Sequence, residues 1–237
     1  MIGSGKLFAR IRRIEFPCYV INIKIAGKIS IYQHCCMDSL QIKAKQLDFT
    51  HSCIIYDLCG GTGSWSRPYR DAGYTVHVID TKSNKDVRWL RKPDHRVHGV
   101  LAAPPCTHFS SSGAQYWSEK DKDGRTLEDL SILDACIRFI FAANPMFWAL
   151  ENPVGRMVDF LGPPVYKFNP CDFGDAYTKK TYLWGKFNRP KKRPVEPETV
   201  CSQGSWLMRL GGRSDKTKEL RSTTPPAFAA AFFAANP

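Results

Sequence analysis

The sequence has no Cys-x-x-Cys pair, no internal repeat and no apolar run that approaches the ~18 residues of a membrane span. The first absence removes zinc ribbons and thioredoxin-like redox pairs, so no metal is expected. The second removes solenoids and propellers, and the third removes a spanning helix. The N-terminal segment lacks an uninterrupted apolar stretch followed by a small-residue cleavage site, so it does not read as a secretory signal. Acidic residues are also in short supply: 22 Asp and Glu face 34 Lys and Arg, a formal charge of +12. That imbalance favours a polyanionic partner, nucleic acid first and an anionic membrane second, and says nothing about fold. What is present is ordinary for a globular chain. Its 237 residues are 43% hydrophobic and 24% charged, enough to bury a core without a disulfide or metal staple. The nine cysteines are odd in number and scattered, which points to free thiols in a reducing compartment and hence to the cytoplasm.

The order of elements predicts an α/β fold. Residues 1–50 form a basic extension: Lys6, Arg10, Arg12 and Arg13 open it. Isoleucines 21, 23 and 25, then 29 and 31, alternate with polar residues around Ala26-Gly27-Lys28, the pattern of a β-hairpin. From residue 51 to 185 strands alternate with helices. Cys53–Leu58, Tyr74–Ile79, Val97–Ala102, Met146–Leu150 and Thr181–Trp184 read as strands. Thr126 with Asp129 resembles a capping box at the start of a helix that ends near Asn144-Pro145. Such alternation predicts a mostly parallel, doubly wound Rossmann-like sheet with its site at the carboxyl ends of the strands. Residues 186–220, with Pro190, Pro194, Pro197, Gly204, Gly211 and Gly212, predict a small loop-rich insert, and 221–237 a closing helix over Ala227–Ala235.

Three strand ends carry candidate chemistry. The run Asp57-Leu58-Cys59-Gly60-Gly61-Thr62-Gly63-Ser64 is a strand, glycine loop and helix start, where backbone N–H groups can face a nucleotide-type ligand. Asp80 closes the next strand and suits two ribose hydroxyls. Ala103-Pro104-Pro105-Cys106 follows a buried strand; the prolines fix the chain before the thiol, and a depressed pKa there would make Cys106 a nucleophile. The polar stretch Thr107–Arg125 behind it reads as a lid. Glu151-Asn152-Pro153 ends an apolar strand, which gives Glu151 a raised pKa and the role of proton donor.

In this order the elements resemble the cytosine-C5 DNA methyltransferase family over roughly residues 53–237. Pro-Pro-Cys and Glu-Asn-Pro are the specific matches. The resemblance implies S-adenosylmethionine as cofactor and DNA as substrate, with the target cytosine flipped or single-stranded. It implies Cys106 as nucleophile at C6 and Glu151 as the group that protonates the base. Asp57, Cys59, Gly60, Gly61, Thr62, Gly63 and Pro104 would line the cofactor site, with Asp80 on the ribose and Asp86 on the adenine. Ser222 and Thr223, in Ser222-Thr223-Thr224-Pro225-Pro226, resemble the family's last motif and face the methionine part of the cofactor. Lys179, in Tyr177-Thr178-Lys179-Lys180-Thr181, stands where the family has Gln-x-Arg-x-Arg. Cys59 replaces the usual loop phenylalanine, and the insert at 186–220 stands where a larger target-recognition region is usual. Ser110 and Ser111 on the lid, with Lys191, Lys192 and Arg193 in the insert, are candidate nucleic-acid contacts, the cations through phosphates. A small monomeric enzyme of bacterial, phage or restriction-modification origin fits this outline. Two other readings stay open: the same chemistry on RNA, as in the family's tRNA-methylating branch, and a DNA-binding protein that retains the fold without catalysis.

Overall fold

The computed structural model describes residues 20–25, 28–33, 53–200, 204, 206–210 and 214–237. The chain divides into two units, Met1–His51 and Ser52–Pro237. In the first, β1 (Val20–Ile25) pairs antiparallel with β2 (Lys28–Gln33), Val20 opposite Gln33 and Ile25 opposite Lys28. The basic start at Lys6–Arg13 and the thiols of Cys18, Cys35, Cys36 and Cys201 lie outside the described residues, as do Gly211 and Gly212.

The second unit is built on six strands: β3 (Ile54–Leu58), β4 (Thr75–Ile79), β5 (Gly99–Ala102), β6 (Phe147–Pro153), β7 (Tyr166–Phe168) and β8 (Thr181–Lys186). Their order is β4-β3-β5-β6-β8-β7. The first four are mutually parallel, and β8 runs antiparallel to both β6 and β7. This is a Rossmann-like arrangement: a mostly parallel, doubly wound sheet with one reversed strand near its edge. From β3 the chain passes to β4 on one side and then crosses back to β5 on the other, so a crevice opens at the carboxyl ends of β3 and β5.

Period-two alternation sorts the strand residues between two cores. Ile55, Leu101, Ala149 and Leu183 face one side, where they meet Trp65, Tyr69, Phe228 and Phe232. These come from or beside α1 (Arg67–Asp71) and α7 (Pro226–Ala235). Leu58, Val100, Ala102, Leu150 and Trp184 face the other, against Leu133, Cys136, Phe139 and Ile140 of α3 (Arg125–Ala143) and Met157 of α4 (Met157–Leu161). The central strands β3, β5 and β6 are buried on both faces, which is why their runs read as continuously apolar.

The helix start expected from Thr126 and Asp129 takes another form. The residue before α3 is Gly124, at φ +84 with no side-chain cap. Thr126 is turned inward instead, donating to Asp121 Oδ1 at 2.6 Å and accepting from Arg156 Nη2 at 2.8 Å. A buried Arg156 outcompetes the local cap for that hydroxyl. The insert region forms α5 (Trp206–Arg209) and α6 (Asp215–Ser222), the latter carrying the chain across residue 220 to the closing helix. Among the described residues no helix is long and apolar enough to cross a membrane.

Candidate active site

Three parallel strands end level with one another, and short backbone bonds fix that alignment. Cys59 N donates to Ile79 O at 2.7 Å, and Ala103 N to Leu58 O at 2.9 Å. The glycine loop, Asp80 and the Pro-Pro-Cys turn therefore share one rim. In the loop Cys59, Gly61 and Gly63 all have positive φ, at 56°, 52° and 70°. Gly60 is required for a different reason: a Cβ there would stand 2.5 Å from the Asp57 carboxyl carbon. The loop thus lies directly on a carboxylate that is 1% exposed. Ser66 donates to Asp57 Oδ2 at 2.5 Å, while Oδ1 has no partner. Burial raises the Asp57 pKa to about 6, against the lowering pull of Ser66 and Arg70.

Asp80 fastens the open side of the loop. Its carboxylate accepts from Gly61 N and from Lys82 N, each at 2.9 Å. The carboxylate oxygens retain lone pairs for hydroxyl donors beyond these two bonds. Asp86 caps its own short turn and binds Arg88 at 2.6 Å, so its carboxylate is committed to that guanidinium. Thr62 is exposed at the loop tip, and Pro104 is buried. The C-terminal segment reaches the same place: Ser64 Oγ donates to Thr224 O at 2.8 Å, which brings Ser222 and Thr223 to the glycine loop. The hydroxyls of Ser222 and Thr223 both donate to Glu219 O. The Cys59 sulfur is 4.0 Å from that of Cys136, buried in α3.

Cys106 and Glu151 come together because the segments that follow them are stitched to each other. Ser111 N donates to Val154 O at 2.9 Å, Arg156 N to Phe109 O at 2.8 Å, and Ser110 bridges to Gly155. A Cβ on Gly155 would stand 1.9 Å from Phe109 O, so only glycine permits the approach. From the strand side, Asn152 Nδ2 donates to Pro104 O at 3.0 Å, fully buried. Glu151 is buried with Oε1 unpartnered. Burial raises its pKa, and Lys179 opposes that rise. The thiol of Cys106 is raised too, first by burial and then by Glu151, with Lys179 and Arg221 pulling it down. The expected depression of the Cys106 pKa is thus reversed, since desolvation and a neighbouring carboxylate outweigh two cations. The three residues proposed from sequence for chemistry sense one another's charge at one strand-end cleft.

The stretch Thr107–Arg125 is folded down rather than loose. Ser111–Tyr116 forms a short 3-10 segment and Trp117–Lys122 a helix, α2. Arg156 clamps the stretch, donating to His108 O at 2.9 Å and Asp121 Oδ2 at 2.8 Å, and lying 4.9 Å from the Trp117 ring centre. Lys120 Nζ donates to Thr107 O at 2.8 Å. Ser110 is half-buried in this segment and Ser111 exposed. Lys191, Lys192 and Arg193 are exposed on the strap beside residues 171–177, where Arg193 N donates to Asp172 O and Lys192 pairs with Asp172 at 3.0 Å. Sequence reading missed Asn152 and Arg156 because their roles depend on partners thirty or more residues away. It also missed Tyr177, which feels the Glu151 charge and lies tilted against Trp206 with ring centres 5.2 Å apart.

No family model matches the sequence, and no curated protein matches it. Among solved structures the chain resembles a candidate DNA modification methyltransferase encoded within an E. coli prophage, at 18% identity and a TM-score of 0.41. The likeness covers 69% of this chain and 56% of that one, so the chain spans little more than half the length of that protein.

Proposed function

We propose that this chain transfers a methyl group from S-adenosylmethionine to C5 of cytosine in DNA through a covalent Cys106–C6 adduct. The observation that carries the reading is the pairing of Cys106 with a buried Glu151 whose Oε1 has no protein partner, at the ends of neighbouring parallel strands. A buried orphan carboxyl oxygen costs free energy, and once protonated it would donate to ring N3 of a cytosine in the cleft.

The cofactor side fits as well. Gly60 leaves no room for a side chain over Asp57, Gly61 has open space where its Cβ would be, and Asp80 holds both the loop and the next turn. When bound there, S-adenosylmethionine supplies an electrophilic methyl group. The protein's task is to make cytosine C5 a nucleophile. Glu151 receives the thiol proton of Cys106 and holds it for N3, the sulfur bonds to C6, and electron density moves to C5. After methylation the C5 proton is lost to solvent, the C6–S bond breaks, and the N3 proton returns through Glu151 to the thiolate, which restores Cys106. Lys179 offsets negative charge in both the thiolate and the carboxylate forms. Access to C6 requires the base to leave the stack, and Lys191, Lys192 and Arg193 would hold phosphates without reading sequence.

The test is covalent trapping. The protein is incubated with S-adenosylmethionine and mixed-sequence DNA containing 5-fluorocytosine, then run on a denaturing gel. Fluorine cannot leave as a proton, so the adduct persists. An adduct with the wild type that is absent in C106A supports the reading, and an equal adduct in C106A overturns the nucleophile. A parallel arm with 5-fluorocytidine-containing tRNA moves the substrate to RNA if only that arm reacts.

A further inference from the structure

Trp89 is the most exposed large apolar side chain among the described residues, at 84%. An isolated exposed aromatic is unremarkable on a surface; this one is mounted rigidly. It ends a 3-10 turn, Val87–Trp89, whose first residue is buried at 3% exposure. Asp86 caps the turn through Arg88 N, and Leu90 on its other side packs against the core. Beneath it, the Arg138 guanidinium donates to Leu90 O at 2.9 Å, Arg88 O at 3.0 Å and Val87 O at 3.5 Å. The backbone on both sides of Trp89 is therefore pinned, and the indole is held out into solvent.

The neighbouring sequence is basic. Lys85, Arg91, Lys92 and Arg96 are all exposed, and none makes an ion pair among the described residues. The acids nearby are spoken for, Asp86 by Arg88 and Asp94 by His95. Unpaired cations flanking a fixed indole have the two parts that single-stranded nucleic acid needs: charge for phosphates and a ring on which a base stacks. A membrane surface would require a broader apolar face than one ring on a three-residue turn.

We infer that Trp89 with Arg91, Lys92 and Arg96 forms a second nucleic-acid contact, outside the catalytic cleft, that grips an unstacked stretch of DNA strand. It rests on the DNA reading above. It lies on the segment joining β4, the edge strand, to β5, at the opposite end of the sheet from Lys191–Arg193.

The experiment uses the full chain and a fluorescein-labelled 20-nucleotide single strand. W89A is expected to weaken binding about tenfold, as for loss of one stacking platform. The double variant R91A/K92A should lower the slope of log affinity against log salt by about 1.4, the loss of two single-strand phosphate contacts. Strand-induced quenching of tryptophan emission should shrink in W89F. Because Trp89 lies outside the core, circular dichroism of all three variants should match the wild type. Unchanged affinity and quenching in these variants, with the wild type binding the strand, overturns this inference and leaves the methyltransfer reading standing. A wild type that binds no DNA and traps no adduct removes both. Emission changes on phosphatidylserine vesicles but not on the strand would overturn it in favour of a lipid surface.

Discussion

Asp57 sets up a stability profile that runs opposite to the usual carboxylate. Its pKa is about 6 in the folded protein against an ordinary 3.8, chiefly because it is buried under the glycine loop. The folded state holds the proton more tightly than the unfolded chain. The group's stabilising contribution is therefore complete below pH 3.8 and is lost as pH rises through about 6. A gap of roughly two pH units corresponds to about 3 kcal/mol between the two limits. D57N removes the titration while its amide oxygen still accepts from Ser66. The amide nitrogen takes the place of the unpartnered Oδ1, which adds an offset that does not depend on pH. The free-energy difference between D57N and wild type should thus shift by about 3 kcal/mol in favour of D57N between about pH 4 and pH 8. Asp129, whose pKa burial also raises to about 6, titrates in both proteins and cancels. Urea unfolding at four or five pH values measures the difference. A difference that stays flat across this range would refute the burial argument.

Two further perturbations address the geometry of the cleft. N152A leaves Pro104 O without its buried donor, a loss of about 1–3 kcal/mol, partly offset because the unpartnered Asn152 Oδ1 goes with it. Turnover should fall far more than cofactor affinity, and equal losses in both would show that Asn152 does not position Cys106. G155A would place a methyl group 1.9 Å from Phe109 O, so the strand of backbone bonds between 109–111 and 154–156 must open. Thermal unfolding should register about 3 kcal/mol or more, and a melting temperature within a degree of wild type would contradict the packing.

The fold was legible because buried strands flanked by helices leave a simple trace. Five runs from Cys53 to Trp184 lie where strands are found, within a residue or two at most ends. The reversed direction of β8 was not legible, since apolar content is indifferent to strand direction. β7 is only three residues long and left no signal. The candidate site was legible where residues sit in short motifs at strand ends, and the structure brings Asp57–Gly63, Cys106 and Glu151 to one rim. What escaped was the support. Arg156 reads as an ordinary surface cation in sequence, yet it is 8% exposed and ties down the segment after Cys106. The thiol's raised pKa was equally hidden, because it depends on how deeply the cleft buries Cys106 and on Glu151 lying beside it.

That last point separates the acidity of the proposed nucleophile from its usefulness. Cys106 and Glu151 each have a raised pKa, and the carboxylate contributes to the rise of the thiol. A thiol beside a carboxylate carries the same charge as a thiolate beside a carboxylic acid. One proton passing within the pair therefore converts the resting form to the reactive one without exchange with solvent, and Lys179 serves both forms alike. E151Q breaks the pair. It removes the negative charge that holds the proton on sulfur, so the thiol pKa falls and more thiolate is present at neutral pH. Alkylation of Cys106 by iodoacetamide, followed by mass spectrometry of its peptide, should accelerate severalfold. Adduct formation with 5-fluorocytosine DNA should collapse in the same protein, because nothing holds the proton for the base. Slower or unchanged alkylation would mean that Glu151 does not set the state of the thiol. Faster alkylation together with undiminished trapping would mean that the proton reaches the base by another route.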